Sequence, residues 1–240
     1  MKRTQRGLDA ARICTYLHPP HGKSDPRNGS DKHLKNATKH ADDLRTLCKR
    51  LLKQYPAEPK QPHDALKALV RGAMSFDVSD AKAEEAMRMI DKEFVDLNEL
   101  RVATDLEIQE LLGTRYPAIE KRVAMITQSL NRIFEKEHTL SLDRLKTISR
   151  RDARQFLREL PEIHPFVEAY VMLFSFDGHA IPMDEAMVAY LKEREILEDS
   201  ATIDDAQKFI EHQLKAEECY DLYAALRKAV ADEKDRSRKK

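Results

Sequence analysis

Apolar residues along this chain recur at three- and four-residue intervals in segment after segment, and nowhere alternate one by one as a half-buried strand would. In 40–55, Leu44, Leu47, Cys48, Leu51 and Leu52 mark one face of an amphipathic helix that Pro56 and Pro59 stop. Leu66, Leu69, Val70 and Ala73 repeat the spacing within 63–74. The same reading predicts helices at about 79–94, 96–101, 104–112, 117–136, 140–147, 150–158, 166–177, 184–195, 203–214 and 217–233. Asp80, Asp105 and Asp184 each precede such a pattern, where a carboxylate can accept hydrogen bonds from free amides. There is no fixed-period repeat and no coiled-coil seam, so the expected fold class is all-α.

Composition agrees with the pattern. The 240 residues are 41% hydrophobic and 35% charged with only 6 glycines, enough for one large or two small helical domains with a core. Between the helices and the start, 17–36 combines Pro, Gly, Asn, Asp and His with almost no apolar content and reads as a disordered linker. Zero net charge hides an asymmetry: 1–60 carries +8 and 61–240 carries −8, with further basic residues at 234–240. Cys14, Cys48 and Cys219 are too few and scattered for a disulfide framework, which makes a reduced cytoplasmic setting the expectation. No apolar run approaches a membrane span. His63, His164 and His179 have no metal-ligand spacing with the cysteines, so no zinc site is expected.

Two segments carry more than helix periodicity. The segment 62–87, PHDALKALVRGAMSFDVSDAKAEEAM, resembles the opening of the helix-hairpin-helix (HhH-GPD) DNA glycosylase superfamily, to which endonuclease III belongs. There a helix ends in a Ser-x-Gln wedge before Thr/Ser-Asp; here Ser75, Ser79 and Asp80 match, and Asp77 stands at the glutamine. More specific is 160–184, LPEIHPFVEAYVMLFSFDGHAIPMD, with its Leu-Pro-x-Ile entry, apolar helix and Ile-Pro-Met-Asp exit. A looser match is 111–126, with a Gly, an aromatic and basic residues before an apolar helix. The resemblance spans about 62–198 and implies a two-lobed helical fold with a degenerate helix-hairpin-helix.

In that family the hairpin reads Leu-Pro-Gly-Val-Gly, because glycine accepts positive φ and lets backbone N–H groups approach a phosphate at a helix start. An aspartate beyond it stabilises the sugar cation as the glycosidic bond breaks, and in bifunctional members a lysine forms a Schiff base. Carried over, the aspartate is Asp184. The glycines are Glu162 and His164, Pro165 lacks an N–H donor, and Phe166 holds the lysine position, so no lyase step is implied through it. A phosphate beside Glu162 would meet a like charge worth about 1 kcal/mol at 4 Å in water and about 4 at an effective dielectric of 20. His164, if protonated, would recover part of this. The four-cysteine loop that binds an iron–sulfur cluster in many endonuclease III relatives has no counterpart, since only Cys219 lies beyond 197; no cofactor is expected.

Each residue has a plainer reading beside this one. Asp184 is either the family's catalytic acid or a helix cap, and Asp77 either contacts an opened base pair or is a solvated loop residue. Phe166, Phe174 and Phe176 belong to an apolar helix that must bury a face. The run Arg144, Lys146, Arg150, Arg151, Arg154 and Arg158 either neutralises phosphates or is a solvated helix face.

Together these give a basic arm at 1–37, a smaller lobe from 38–60 and 198–233, a central lobe at 61–197 with its hairpin at 160–168, and a basic tail at 234–240. The expected function is an endonuclease III-like glycosylase of base-excision repair, at most monofunctional. The alternative is a catalytically inactive scaffold that binds nucleic acid or a protein. Asp184 is the catalytic candidate; Ser75, Phe76, Asp77, Pro161, Ile163, His164, Pro165, Arg150, Arg151 and Arg154 are the DNA-contact candidates. DNA is the expected partner of a monomer, with nucleoid association if it binds.

Overall fold

The computed structural model describes residues 34–238. Among them are eleven α-helices, one 3-10 turn and no strand. They divide into two compact units, one of 60–185 and one of both chain ends, 34–59 and 186–238. No helix among the described residues is long and apolar enough to cross a membrane.

The first unit holds α2 (Ala65–Ser75), α3 (Asp80–Glu93), α4 (Leu97–Val102), α5 (Asp105–Leu112), α6 (Ile119–Glu137), the 3-10 turn Asp143–Lys146, α7 (Arg150–Arg158) and α8 (Pro165–Ser175). Its heart is α2 against α8. A Cβ added at Gly72 would lie 3.3 Å from Val167 Cγ1, so a larger residue there would make α8 give by a few tenths of an ångström. Both are buried on nearly every side, as their almost unbroken apolar sequences require. Asp64 starts α2 by accepting from the amides of Leu66 and Lys67.

The second unit packs α1 (Leu34–Gln54) along α11 (Ala216–Arg238), with α9 (Glu185–Lys192) and α10 (Ile203–Gln213). Leu44, Leu47, Cys48, Leu51 and Leu52 of α1 are buried, as are Cys219, Leu222 and Leu226 of α11. The sequence reading carries the central lobe to 197, whereas from Ala186 onward the chain belongs with the ends: Arg194 pairs with Glu233 at 2.9 Å and His40 Nδ1 meets the Glu195 carbonyl at 3.0 Å.

Three expectations are corrected. The helix expected at 140–147 is only the 3-10 turn, because the Ser141 hydroxyl accepts the Asp143 amide at 3.1 Å and diverts the backbone. The caps of α3 and α5 are Ser79 and Thr104, one residue ahead of Asp80 and Asp105, which lie in the first turn where the helix dipole favours a carboxylate. Residues 34–37 of the expected arm and 234–238 of the expected tail are helical. The rest of the arm, and with it 17–33 of the predicted linker, lies outside the described residues, as do 239 and 240.

Candidate functional site

The end of α2, the turn before α8 and the approach to α9 bring most of the sequence candidates together. After Ser75 the backbone turns at Asp77, whose φ is +53°, and its N–H donates to Asp184 Oδ2 at 3.0 Å. Asp184 is only 2% exposed, closing the buried 180–183 stretch that leads into α9. Ser75 turns its hydroxyl back onto the Arg71 carbonyl at 2.6 Å. Asp77 itself is exposed.

The 160–163 turn forms without a glycine. Ile163 N–H reaches the Leu160 carbonyl at 3.4 Å, with Pro161 second and Glu162 third in the turn. Glu162 takes φ +53°, a left-handed conformation that favours glycine. His164 has an ordinary φ of −77° and caps α8, its Nδ1 accepting the Phe166 amide at 3.1 Å. Pro165 has no N–H to offer and sits at the first helical position. The donors that a phosphate would need at this helix start are therefore missing or committed.

Aromatic rings fill the space behind the turn. His164 stacks on Phe76, centroids 4.3 Å apart and planes 3° from parallel. Phe76 touches Phe166 at 6.3 Å, Phe166 meets Tyr170 at 5.9 Å, Tyr170 meets Phe174 at 4.3 Å, and Phe174 stacks on His63 at 4.9 Å. Phe166 is fully buried within this column. Phe174 and Phe176 are buried too, as an apolar helix face demands.

Arg122 is the residue that sequence reading missed. Only 1% exposed, it donates to the carbonyls of Ala73, Phe76 and Pro117 and lays its guanidinium 3.7 Å from the Phe76 ring centroid. It satisfies carbonyls at the end of α2 that the helix leaves without partners. Tyr116 adds a bond to the Met74 carbonyl at 2.7 Å. The signal was available: Arg122 interrupts the buried stripe of Ile119, Val123, Ile126, Leu130 and Ile133. Burial lowers the Arg122 pKa, while Tyr116, Asp77 and Asp184 pull it back up. Burial also lowers His164, aided by Arg122 and opposed by Asp77 and Asp184, which agrees with a neutral ring accepting through Nδ1.

The basic run divides. Arg144 grips Glu137 through two bonds and Lys146 pairs with Asp143. Arg154 and Arg158 converge on buried Glu168 at 2.6 and 3.1 Å; burial raises that carboxyl against the pull of both arginines. Arg150 and Arg151 are exposed at the start of α7 and have no ion pair among the described residues. Among those residues no group of three His, Cys, Asp or Glu is placed to hold a metal ion. Cys219 is buried in α11 with its thiol on the Lys215 carbonyl, and Cys48 is buried in α1.

No family model matches the chain, and no curated protein matches it in sequence. Solved structures do. An 8-oxoguanine glycosylase/lyase from Clostridium acetobutylicum, bound to DNA with cytosine opposite 8-oxoguanine, superposes with TM-score 0.64 at 14% identity, covering 86% of this chain and 77% of that one. Endonuclease III trapped as a covalent DNA intermediate gives 0.63 at 14% identity over 78% and 84%. A thermostable thymine-DNA glycosylase gives 0.57 at 13% over 84% and 88%. The chain has the helical fold of these DNA glycosylases.

Proposed function

We propose that this chain is a divergent member of the helix-hairpin-helix DNA glycosylase superfamily that binds nucleic acid and no longer excises bases. The observation that carries this reading is the state of Asp184: 2% exposed, its carboxylate tied to the Asp77 amide. Phe166, which by the resemblance takes the place of a nucleophilic lysine, is fully buried. A carboxylate that must stabilise a sugar cation has to reach the sugar, and this one faces its own chain. The committed amides at the start of α8 and the charge of Glu162 also oppose a phosphate clamp.

Nucleic-acid binding then falls to other parts of the chain. Residues 1–60 carry +8, and Arg150 and Arg151 offer cations at the start of α7. Such contact is sequence-independent and screened by salt. Removing 1–36 should weaken duplex binding at low salt at least about tenfold and flatten its salt dependence. Undiminished, salt-sensitive binding by the shortened chain would overturn the assignment to the arm.

A second reading, a monofunctional glycosylase without a lyase step, rests on the retention of Asp184 itself, within the fields of Arg122 and His164. It differs from the first in one outcome, base release that depends on Asp184.

A further inference from the structure

We propose that the corner formed by α4, α5 and α6 docks a basic amphipathic segment of another protein. Among the described residues the large apolar side chains left exposed are Val95, Val102, Leu106 and Phe134, at 93%, 66%, 63% and 40%. All four come from this corner. Val95 precedes α4 and Val102 ends it, Leu106 lies in the first turn of α5, and Phe134 lies in the second half of α6. Side-chain bonds join the three helices here. Arg101 Nη1 donates to Asn131 Oδ1 at 2.9 Å, Asn131 Nδ2 donates to the Arg101 carbonyl at 3.4 Å, and the Thr127 hydroxyl donates to Asp105 Oδ1 at 2.8 Å. The Arg101 guanidinium lies 4.3 Å from the Phe134 ring centroid, which places the end of α4 beside that ring. Single exposed apolar residues are ordinary on a protein surface, whereas a cluster of them marks an interaction site.

The charge around the cluster selects the occupant. Residues 91–110 carry seven carboxylates, all exposed, against two cations, Lys92 and Arg101. Of the seven, Asp91 alone takes part in an ion pair among the described residues, with Lys67 at 3.8 Å. Arg101 is committed to Phe134 and Asn131. On α6, Arg132 pairs with Glu135 and Lys136 with Glu159, so neither adds a free cation. Bonds from the Thr104 amide and hydroxyl hold the Glu107 carboxyl below the usual range, which keeps it ionised at neutral pH. An acidic rim around apolar side chains repels nucleic acid, which separates this face from any that meets DNA. It attracts a segment in which lysine or arginine is interleaved with apolar residues at helical spacing. The apolar stripe of such a segment covers Val102, Leu106 and Phe134, and its cations meet the rim.

The probe is a synthetic peptide of about 20 residues with leucine on one helical face and lysine on the other, titrated with the full chain and followed by fluorescence polarisation. It should bind saturably with a Kd of about 10–100 μM, and its counterpart with glutamate for every lysine should bind at least about tenfold more weakly. A scrambled peptide of the same composition should also be weaker by about tenfold, because its leucines share no face. Val102→Ser and Leu106→Ser should each weaken the ordered peptide about fivefold to tenfold with thermal unfolding unchanged. Glu93→Gln combined with Glu110→Gln should weaken it about threefold and lower its salt dependence, whereas Glu217→Gln, at an exposed acid of α11, should change neither. Equal binding by the scrambled peptide, no effect of either serine variant, or no saturable binding would each overturn the proposal. So would two other occupants. A dimer of the full chain that Leu106→Ser dissolves gives the face to a second copy, and peptide binding that appears only when 1–33 is removed gives it to the chain's own start. None of these readouts depends on base release or on duplex binding.

Discussion

Glu162 holds the backbone of a glycine with the side chain of an acid. A non-glycine residue at positive φ costs roughly 1–2 kcal/mol, and a glycine placed there would return about 0.4–1 of that through a freer unfolded chain. Glu162→Gly should therefore stabilise the protein by about 0.5–1 kcal/mol in urea unfolding. It should also tighten duplex binding severalfold by removing a like charge from the turn. Lower stability would mean that the left-handed geometry at φ +53° is not a strain. Asp77, at the same φ, belongs to a residue type that tolerates this region, and its turn is held by the bond to Asp184.

At the scale of the element, α8 begins with a histidine used as a cap, and that gives its start a pH dependence. Burial lowers His164, and His63 at the other end of the aromatic column is lowered chiefly by burial as well. A histidine with a lowered folded-state pKa binds its proton more readily when unfolded. The stability it provides is full above about pH 6.5 and is lost as pH falls from there through the folded-state value. The chain should lose stability between pH 7.5 and 5.5, and His164→Gln, weaker by about 1 kcal/mol at pH 7.5 for a lost cap, should lose less over that interval. Identical pH dependence of the two proteins would remove His164 from the account.

Most helices were legible in the sequence, because an apolar stripe at helical spacing needs no knowledge of its partner: α7 was expected at 150–158 and is found there. Side-chain competition for amides was harder to read, and it shortened 140–147 and moved two caps by one residue. At the site, the meeting of 75–77, 161–166 and Asp184 followed from the family pattern. Arg122 did not, since a charge inside an apolar stripe gives no hint of the three carbonyls that receive it. Nor did Glu168 announce that it would gather Arg154 and Arg158.

Over the whole molecule, the net positive charge and the hairpin with Asp184 lie in different stretches of the sequence. Positive charge lies in the first 60 residues and negative charge in the remainder, which carries the hairpin and Asp184. The fold matches DNA glycosylases over most of the chain, while Asp184 is enclosed. The most direct measurement is base release from a panel of damaged and mismatched duplexes by the full chain and by Asp184→Asn. Neither protein should release a base above background, although the unaltered chain binds the same duplexes. Release by the unaltered chain that Asp184→Asn abolishes would contradict this account and establish Asp184 as a catalytic acid.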